Sequence, residues 1–169
     1  MKRYVAGFMF NSGCTHVALV EKQKPEWQKG RLNAIGGKIE KVQADDGTPG
    51  TDGLYFTDEA PVAAMVREFF EETGYQTQES DWTEFCLLSG PSGDMTGPHW
   101  QVHFFFHVAG FHDIEKRLRT TTDERIIVEP IRHRRSRIAN LEWLIPMALS
   151  TYMGGNTASL HLVSEVQTT

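Results

Sequence analysis

The run Arg67-Glu68-Phe69-Phe70-Glu71-Glu72-Thr73-Gly74 crowds three carboxylates onto a short stretch of predicted helix. Side chains three and four apart share a helix face, so the spacing aims Glu68, Glu71 and Glu72 roughly together, with Arg67 alongside Glu71. Packed like charges destabilise a helix by about 0.2–0.5 kcal/mol per pair. Such a cluster calls for a cation, or else for a fully solvated acidic face. An all-oxygen ligand set suits a hard ion, and Mg²⁺ commonly binds one or two carboxylates together with substrate phosphates.

The neighbouring residues separate these two readings. Gly36-Gly37-Lys38-Ile39-Glu40 lies upstream, and from Glu59 the chain reads E-x7-R-E-F-x-E-E-x-G-Y, ending at Tyr75. This resembles the signature of the Nudix hydrolases, a glycine followed by E-x7-R-E-U-x-E-E-x-G-U with U apolar or aromatic. The resemblance implies an α/β fold, an α/β/α sandwich with a mixed β-sheet. It also implies Mg²⁺ as cofactor, with Mn²⁺ substituting. By the same resemblance the Gly36 carbonyl and the carboxylates of Glu68, Glu71 and Glu72 ligate the metal, and Arg67 orients the glutamates through ion pairs. Thr122-Asp123-Glu124-Arg125 resembles the S-D-E segment of family members that hydrolyse oxidised purine nucleotides, which makes Glu124 a candidate ligand or base. A surface acid at the start of a strand is the plain alternative for Glu124.

One departure from the family pattern is large. The signature leaves five residues between its glycine and first glutamate, whereas here a Gly-, Pro- and Asp-rich insertion at about 42–58 intervenes. Asp46-Gly47 and Asp52-Gly53 are turn signals, so the insertion reads as a loop or hairpin. It serves either as a tolerated surface excursion or as a flap beside the nucleotide, and it leaves the role of Glu59 open.

The 169 residues fit one domain, with a core large enough to be stable. A net charge of −5 gives no bulk attraction to nucleic acid or membranes. Cys14 and Cys86 are too few for a disulfide scaffold and read as reduced packing residues. No segment has the continuous apolar length of a membrane span, and no secretory signal is evident, so the expected location is cytoplasmic. The expected assembly is a monomer or homodimer.

Along the chain, Tyr4 to Phe10 and His16 to Glu21 read as a strand pair around the Asn11-Ser12-Gly13 turn. Asp58 is the predicted N-cap of the acidic helix, Pro61 suits its first turn, and Gly74 suits its end. Val62, Met65, Val66 and Phe69 form its apolar stripe. Trp82 to Leu88, Val102 to Val108 and Ile126 to Ile131 read as strands, the second with alternating, sided character. The histidines spaced along that strand lack a Cys partner or H-E-x-x-H spacing, which disfavours zinc. Leu141 to Met153 reads as a second helix with Pro146 in or near its first turn, and the tail from Gly154 docks as a strand or stays loose.

Substrate signals are mixed. Gly30-Arg31-Leu32-Asn33-Ala34-Ile35-Gly36-Gly37-Lys38 resembles the G-R-W-N-G-F-G-G-K run of the branch that sanitises nucleotide pools. In that branch an asparagine at the position of Asn33 faces the purine, and an amide presents both donor and acceptor to a base edge. Asn140 falls where the branch places a base-reading aspartate, and Ala139 replaces a second one. Lys22, Lys24 and Lys38 are candidate phosphate contacts. Pro91 lies sixteen residues after Tyr75, where many ADP-ribose pyrophosphatases of the family carry a proline. Arg132-His133-Arg134-Arg135-Ser136-Arg137 is a basic run that suits either a solvated loop near phosphates or, as in decapping enzymes, RNA. The acidic remainder of the chain disfavours RNA. The preferred expectation is conversion of a (deoxy)nucleoside triphosphate to monophosphate and pyrophosphate. ADP-ribose or dinucleotide hydrolysis, RNA decapping and a non-catalytic nucleotide sensor are the alternatives. Intact Arg67, Glu68, Glu71 and Glu72 argue against the sensor.

Overall fold

Strand β1 (Lys2–Phe10) is apolar on both faces, and this dictates a sheet covered on both sides. A computed structural model describes residues 1–45, 54–91, 99–133, 136–154 and 160–163. In it Val5 and Met9 of β1 enter one core while Ala6, Phe8 and Phe10 enter the other. Helix α1 (Pro61–Thr73) supplies Ala64, Met65 and Phe69 to the first. Helix α2 (Leu141–Gly154) supplies Leu141, Leu144, Ile145 and Ala148 to the second. Each fully buried large apolar side chain contributes about 1.5–3 kcal/mol.

The remaining strands of the main sheet are β2 (His16–Glu21), β3 (Leu32–Asn33), β6 (Thr83–Gly90), β7 (Trp100–Val108), β8 (Arg125–Pro130) and β9 (Leu160–Val163). Their order is β3-β2-β1-β7-β6-β9, with β8 also pairing with β2. The sheet is mixed: β1 runs parallel to β7 over its whole length and antiparallel to β2, and β9 joins β6 in parallel. Of the tail, Leu160–Val163 thus docks as a strand. A separate antiparallel hairpin of β4 (Lys41–Asp45) and β5 (Leu54–Asp58) forms the arms of the insertion. Its predicted turns at Asp46-Gly47 and Asp52-Gly53 lie outside the described residues.

Three local expectations are corrected. The N-cap of α1 is Ala60, with Pro61 opening the helix. Asp58 instead ends β5, bonded to Lys41 at 2.7 Å and Arg3 at 3.1 Å, and those two cations hold its carboxyl below the usual range. Strand β7 is not one-sided, because it lies between β1 and β6 with helices over both faces. Phe104 and Phe106 pack in the α2 core and Phe105 in the α1 core. Pro146 sits past the first turn, inside α2. Gly74 does terminate α1 in the left-handed region, at φ 65°. Both cysteines are free, with Cys86 buried.

Candidate active site

The end of α1 organises the acidic residues. A helix leaves its last carbonyls without intrahelical partners. Here Arg119 N–H donates to Thr73 O at 2.8 Å and Thr121 N–H to Glu72 O at 3.3 Å, while the Thr121 hydroxyl donates to Glu71 O. The segment after residue 118 is thereby fastened to α1. A few residues on, Glu124 accepts from Lys22 Nζ and from the Gln23 amide at 3.1 Å. The Glu124 charge is felt at Glu72.

The three helix glutamates differ in exposure and in partners. Glu71 is half exposed, its carboxylate 3.2 Å from Arg67. Glu68 is largely buried and accepts from Arg67 Nη1 at 3.0 Å. Burial raises its carboxyl despite the guanidinium, with Glu71 and Glu40 adding to the rise. Glu72 is only 8% exposed. Burial pushes its carboxyl to about 7, opposed by Lys22 and a Gly36 backbone hydrogen bond and reinforced by Glu124 and Glu68. Its Oε2 is buried without a hydrogen-bond partner among the described residues. Among those residues no three His, Cys, Asp or Glu side chains converge into a ready-made cage.

Arg67 is the hub. Its guanidinium donates to Glu59 Oε1 at 2.6 Å and Oε2 at 3.3 Å, to Glu68, to Glu71, and to the Lys38 carbonyl at 3.0 Å. Glu59 above all, then Glu68, holds its basicity well above the ordinary value, against burial. Burial would raise Glu59, but Arg67 and the Glu40 amide outweigh it and hold the carboxyl below the usual range. An orienting role, as the resemblance implies, fits a side chain whose donors are occupied by protein groups.

The glycine pair brings bare backbone against these acids. Gly36 has φ 149°, and a Cβ there would lie 2.3 Å from Val5 O. A Cβ on Gly37 would lie 2.4–2.6 Å from the Glu68 carboxylate. Gly37 O accepts from Val5 N–H at 2.9 Å, which ties the loop to β1. The partnerless Glu72 oxygen and this cradle without side chains fit a small, hard cation with oxygen ligands. Such an ion would leave positions for phosphate and water rather than filling a protein cage.

Gly36 and Gly37 also form one wall of a cavity of about 540 Å³, within the range of small-molecule sites. Lys22, Lys24, Lys38, Asn33 and Asn140 line it as well. The structure thus gathers the proposed phosphate and base contacts around one space. Asn33 is already engaged: Nδ2 donates to Gln28 Oε1 at 3.2 Å, and Oδ1 accepts from the Ala34 amide at 2.8 Å. Asn140 has a buried Oδ1 with no partner among the described residues. Lys22 is paired with Glu124, and the Lys38 side chain is exposed.

Other contributors carry weaker sequence signals. Trp27, Gln28 and Trp100 line the cavity. Trp27 is 62% exposed, an aromatic in an otherwise polar connection, and that mismatch is its only signal in the sequence. Trp100 Nε1 donates to Pro91 O at 2.9 Å, so Pro91 helps to hold a ring of the cavity lining. The basic run needs correction at one position. Arg137 is not a solvated cation: its side chain is 4% exposed and bonds Glu129 of β8. Arg134 and Arg135 lie outside the described residues.

A family model for the NUDIX domain matches residues 1–151. No curated protein matches the chain in sequence. Among solved structures, the NUDIX domain of Shewanella oneidensis NrtR complexed with ADP ribose is similar at TM-score 0.60 and 14% identity, covering 89% of this chain and 87% of that one. A MutT NUDIX hydrolase from Burkholderia pseudomallei is similar at TM-score 0.59 and 15% identity, covering 86% and 96%. A bifunctional NMN adenylyltransferase/ADP ribose pyrophosphatase from Francisella tularensis, complexed with AMP and Mn ion, is similar at TM-score 0.56 and 16% identity, covering 88% and 41%. At these identities the structural likenesses establish the fold, and the matched domain establishes the family: the chain belongs to the Nudix hydrolases, pyrophosphohydrolases that act on nucleoside diphosphate derivatives.

Proposed function

We propose that this protein is a Mg²⁺-dependent hydrolase of (deoxy)nucleoside triphosphates, releasing monophosphate and pyrophosphate. The observation that carries this reading is that one cavity is lined by Asn33, Asn140 and Gly36-Gly37, with Glu68 against Gly37. Glu68, Glu71, Glu72 and the Gly36 carbonyl, with Glu124 close to Glu72, are the residues that would hold the ion, and Mn²⁺ would substitute. The chemistry such an ion supplies is Lewis-acid stabilisation of charge on phosphate oxygens. Arg67 fixes Glu68 and Glu71 in place. Lys22, Lys24 and Lys38 meet polyphosphate oxygens as point charges. Glu72, hydrogen-bonded to the Gly36 backbone, and Glu124, paired with Lys22, are the acids for accepting a proton from the attacking water. The Asn33 and Asn140 amides read the base edge, and Trp27 and Trp100 offer aromatic faces.

ADP-ribose is the second reading, favoured by the Shewanella domain solved with that ligand and by Pro91, which bonds the cavity-lining Trp100. RNA decapping loses support because Arg137, part of the only basic run, is consumed by Glu129.

A substrate panel decides between them. Purified protein with Mg²⁺ is given each triphosphate, ADP-ribose, dinucleoside polyphosphates and capped RNA. The expected result is highest kcat/KM on a triphosphate, with monophosphate and pyrophosphate as products. Preference for ADP-ribose would transfer the assignment to the second reading, and binding without cleavage of any panel member would favour a sensor.

A further inference from the structure

The buried ion pair between Arg137 and Glu129 is not used by the chemistry above, yet Arg137 directly precedes Ile138 of the cavity lining. Glu129 stands opposite Val17 in the β2–β8 ladder. The two side chains are 4% and 2% exposed, and Arg137 Nε donates to Glu129 Oε1 at 2.7 Å. The remaining guanidinium donors reach Pro130 O and Ile131 O at 3.3–3.4 Å. Arg137 therefore closes the loop that begins at the end of β8.

The backbone around Arg137 adds a short parallel bridge to β3. Leu32 N–H donates to Ser136 O at 2.8 Å and Ile138 N–H donates to Leu32 O at 3.0 Å. This lays residues 136–138 alongside the strand that carries Asn33. Ile138 and Asn140 then reach the same cavity as Asn33, and Leu144 N–H donates to Asn140 O at 3.0 Å where α2 begins. A surface arginine would not need burial to close a loop. A buried, charge-assisted contact to β8, itself laddered to β2, ties the segment to the main sheet, and fixing register is the best-attested use of such pairs.

We propose that Arg137 and Glu129 form a positioning pair for base selection, fixing the 136–140 segment on β3 so that Asn140 faces the nucleobase beside Asn33. This rests on the reading of the cavity as a base site. Neither residue touches substrate; both act through Asn140 and Ile138. Breaking the pair releases the base-facing wall and leaves the glycine loop and the acids of α1 in place. The loss therefore falls on KM and on discrimination among bases, with kcat on the preferred base retained.

The test uses full-length protein carrying Glu129→Leu with Arg137→Met, because replacing both charges with apolar groups of similar volume preserves folding where removing one does not. Arg137→Lys, which keeps the charge but loses the fork, is the second variant. Thermal melting is measured beside kcat and KM on the four common triphosphates. The expected result is a double variant with wild-type Tm, a kcat on the preferred base within about twofold, and a best-to-worst kcat/KM ratio reduced about tenfold. Arg137→Lys should move discrimination the same way. Wild-type discrimination in a well-folded double variant would overturn the proposal and make the pair a stability element only. If the double variant does not fold, Arg137→Lys decides alone: unchanged discrimination overturns, reduced discrimination supports. Asn140→Ala is run in parallel. If it leaves base preference untouched, the base-site reading fails and the positioning role falls with it. If it shifts preference while the charge-pair variants do not, only the positioning role fails.

Discussion

Glu59 and Arg67 meet through both carboxylate oxygens, the shorter contact being 2.6 Å, although the β4–β5 hairpin inserts immediately before Glu59. The hairpin makes this compatible with its own length. Lys41 stands opposite Asp58 in its ladder, and Glu40 and Glu59 exchange two further hydrogen bonds below it, of 2.9 and 3.0 Å. An antiparallel pair returns the chain to its starting point whatever its length. Arg3 secures the base of the hairpin, donating to Asp58 and to His103 Nε2, which leaves His103 Nδ1–H to donate to Glu84 at 2.8 Å.

Replacing residues 43–56 by a tight two-residue turn should therefore keep activity within about threefold, since loop length costs little. Glu59→Ala should lower it about 10- to 100-fold, because it releases the residue that orients the glutamates. Metal-dependent pyrophosphate release measures both. A collapse of activity in a well-folded hairpin deletion would make the insertion a flap over the nucleotide.

The two glycines should fail in different ways. Gly36→Ala places a Cβ 2.3 Å from Val5 O at a φ that L residues avoid, so backbone must move and Tm should fall by several degrees. Gly37→Ala meets first the end of the Glu68 side chain, which can swing aside where backbone cannot. That variant should melt near wild type and lose about tenfold or more in turnover. Circular dichroism melts beside a turnover assay distinguish the two, and equal effects on both readouts for both variants would contradict the geometry.

Asn33→Ala should lower kcat/KM for purine triphosphates more than it lowers maximal metal-dependent activity. It also removes the cap on the Ala34 amide, at a cost of about 1 kcal/mol. Steady-state kinetics across the four bases checks it, and an identical base preference before and after substitution would remove Asn33 from recognition.

Local chemistry makes much of this molecule legible and long-range chemistry hides the rest. The spacing from Arg67 to Gly74 marks α1, its end and its family, because those constraints act within a few residues. Apolar runs mark β1, β2, β7 and α2 for the same reason. The different surroundings of Glu68, Glu71 and Glu72 escape helix spacing, because Arg67 pairs with two of them while burial surrounds the third. Asp58 resembles a cap in sequence because Arg3, the partner that holds it elsewhere, lies 55 residues away. Arg137 looks solvated within a basic run because Glu129, its partner on β8, gives no local signal of the pairing.

Acid should weaken the fold through His107. Burial lowers its basicity, opposed by the Asp81 carbonyl 2.9 Å from Nδ1. The folded imidazole therefore resists a proton that the unfolded chain accepts at about pH 6.5. Stability is full above that value and is lost as pH falls through it towards the depressed folded value. The limiting slope is about 1.4 kcal/mol per pH unit. Glu72 acts with the opposite sign over part of this interval, so the decline is read as the stability difference between wild type and His107→Gln in urea melts from about pH 7.5 to 5, which should move against the wild type as pH falls. An unchanged slope in that variant would assign the decline elsewhere.

Glu72→Gln gives a test with opposite signs in two assays. Loss of a charged oxygen beside Gly36 should lower turnover at least about 100-fold with the fold intact. In metal-free protein the same change should stabilise. A carboxyl raised to about 7 in the folded state holds a proton that the unfolded chain releases near 4.5. Wild-type stability therefore falls as pH rises through that interval, by on the order of 3 kcal/mol at most. The substituted amide carries no charge to bury, so the variant should melt higher than wild type at about pH 8 without metal. Added Mg²⁺ should raise the wild-type Tm at that pH and barely move the variant. A variant that turns over like wild type at saturating Mg²⁺ would take Glu72 out of the metal site. A variant with unchanged metal-free Tm would instead show that the buried carboxylate is not the source of the pH dependence.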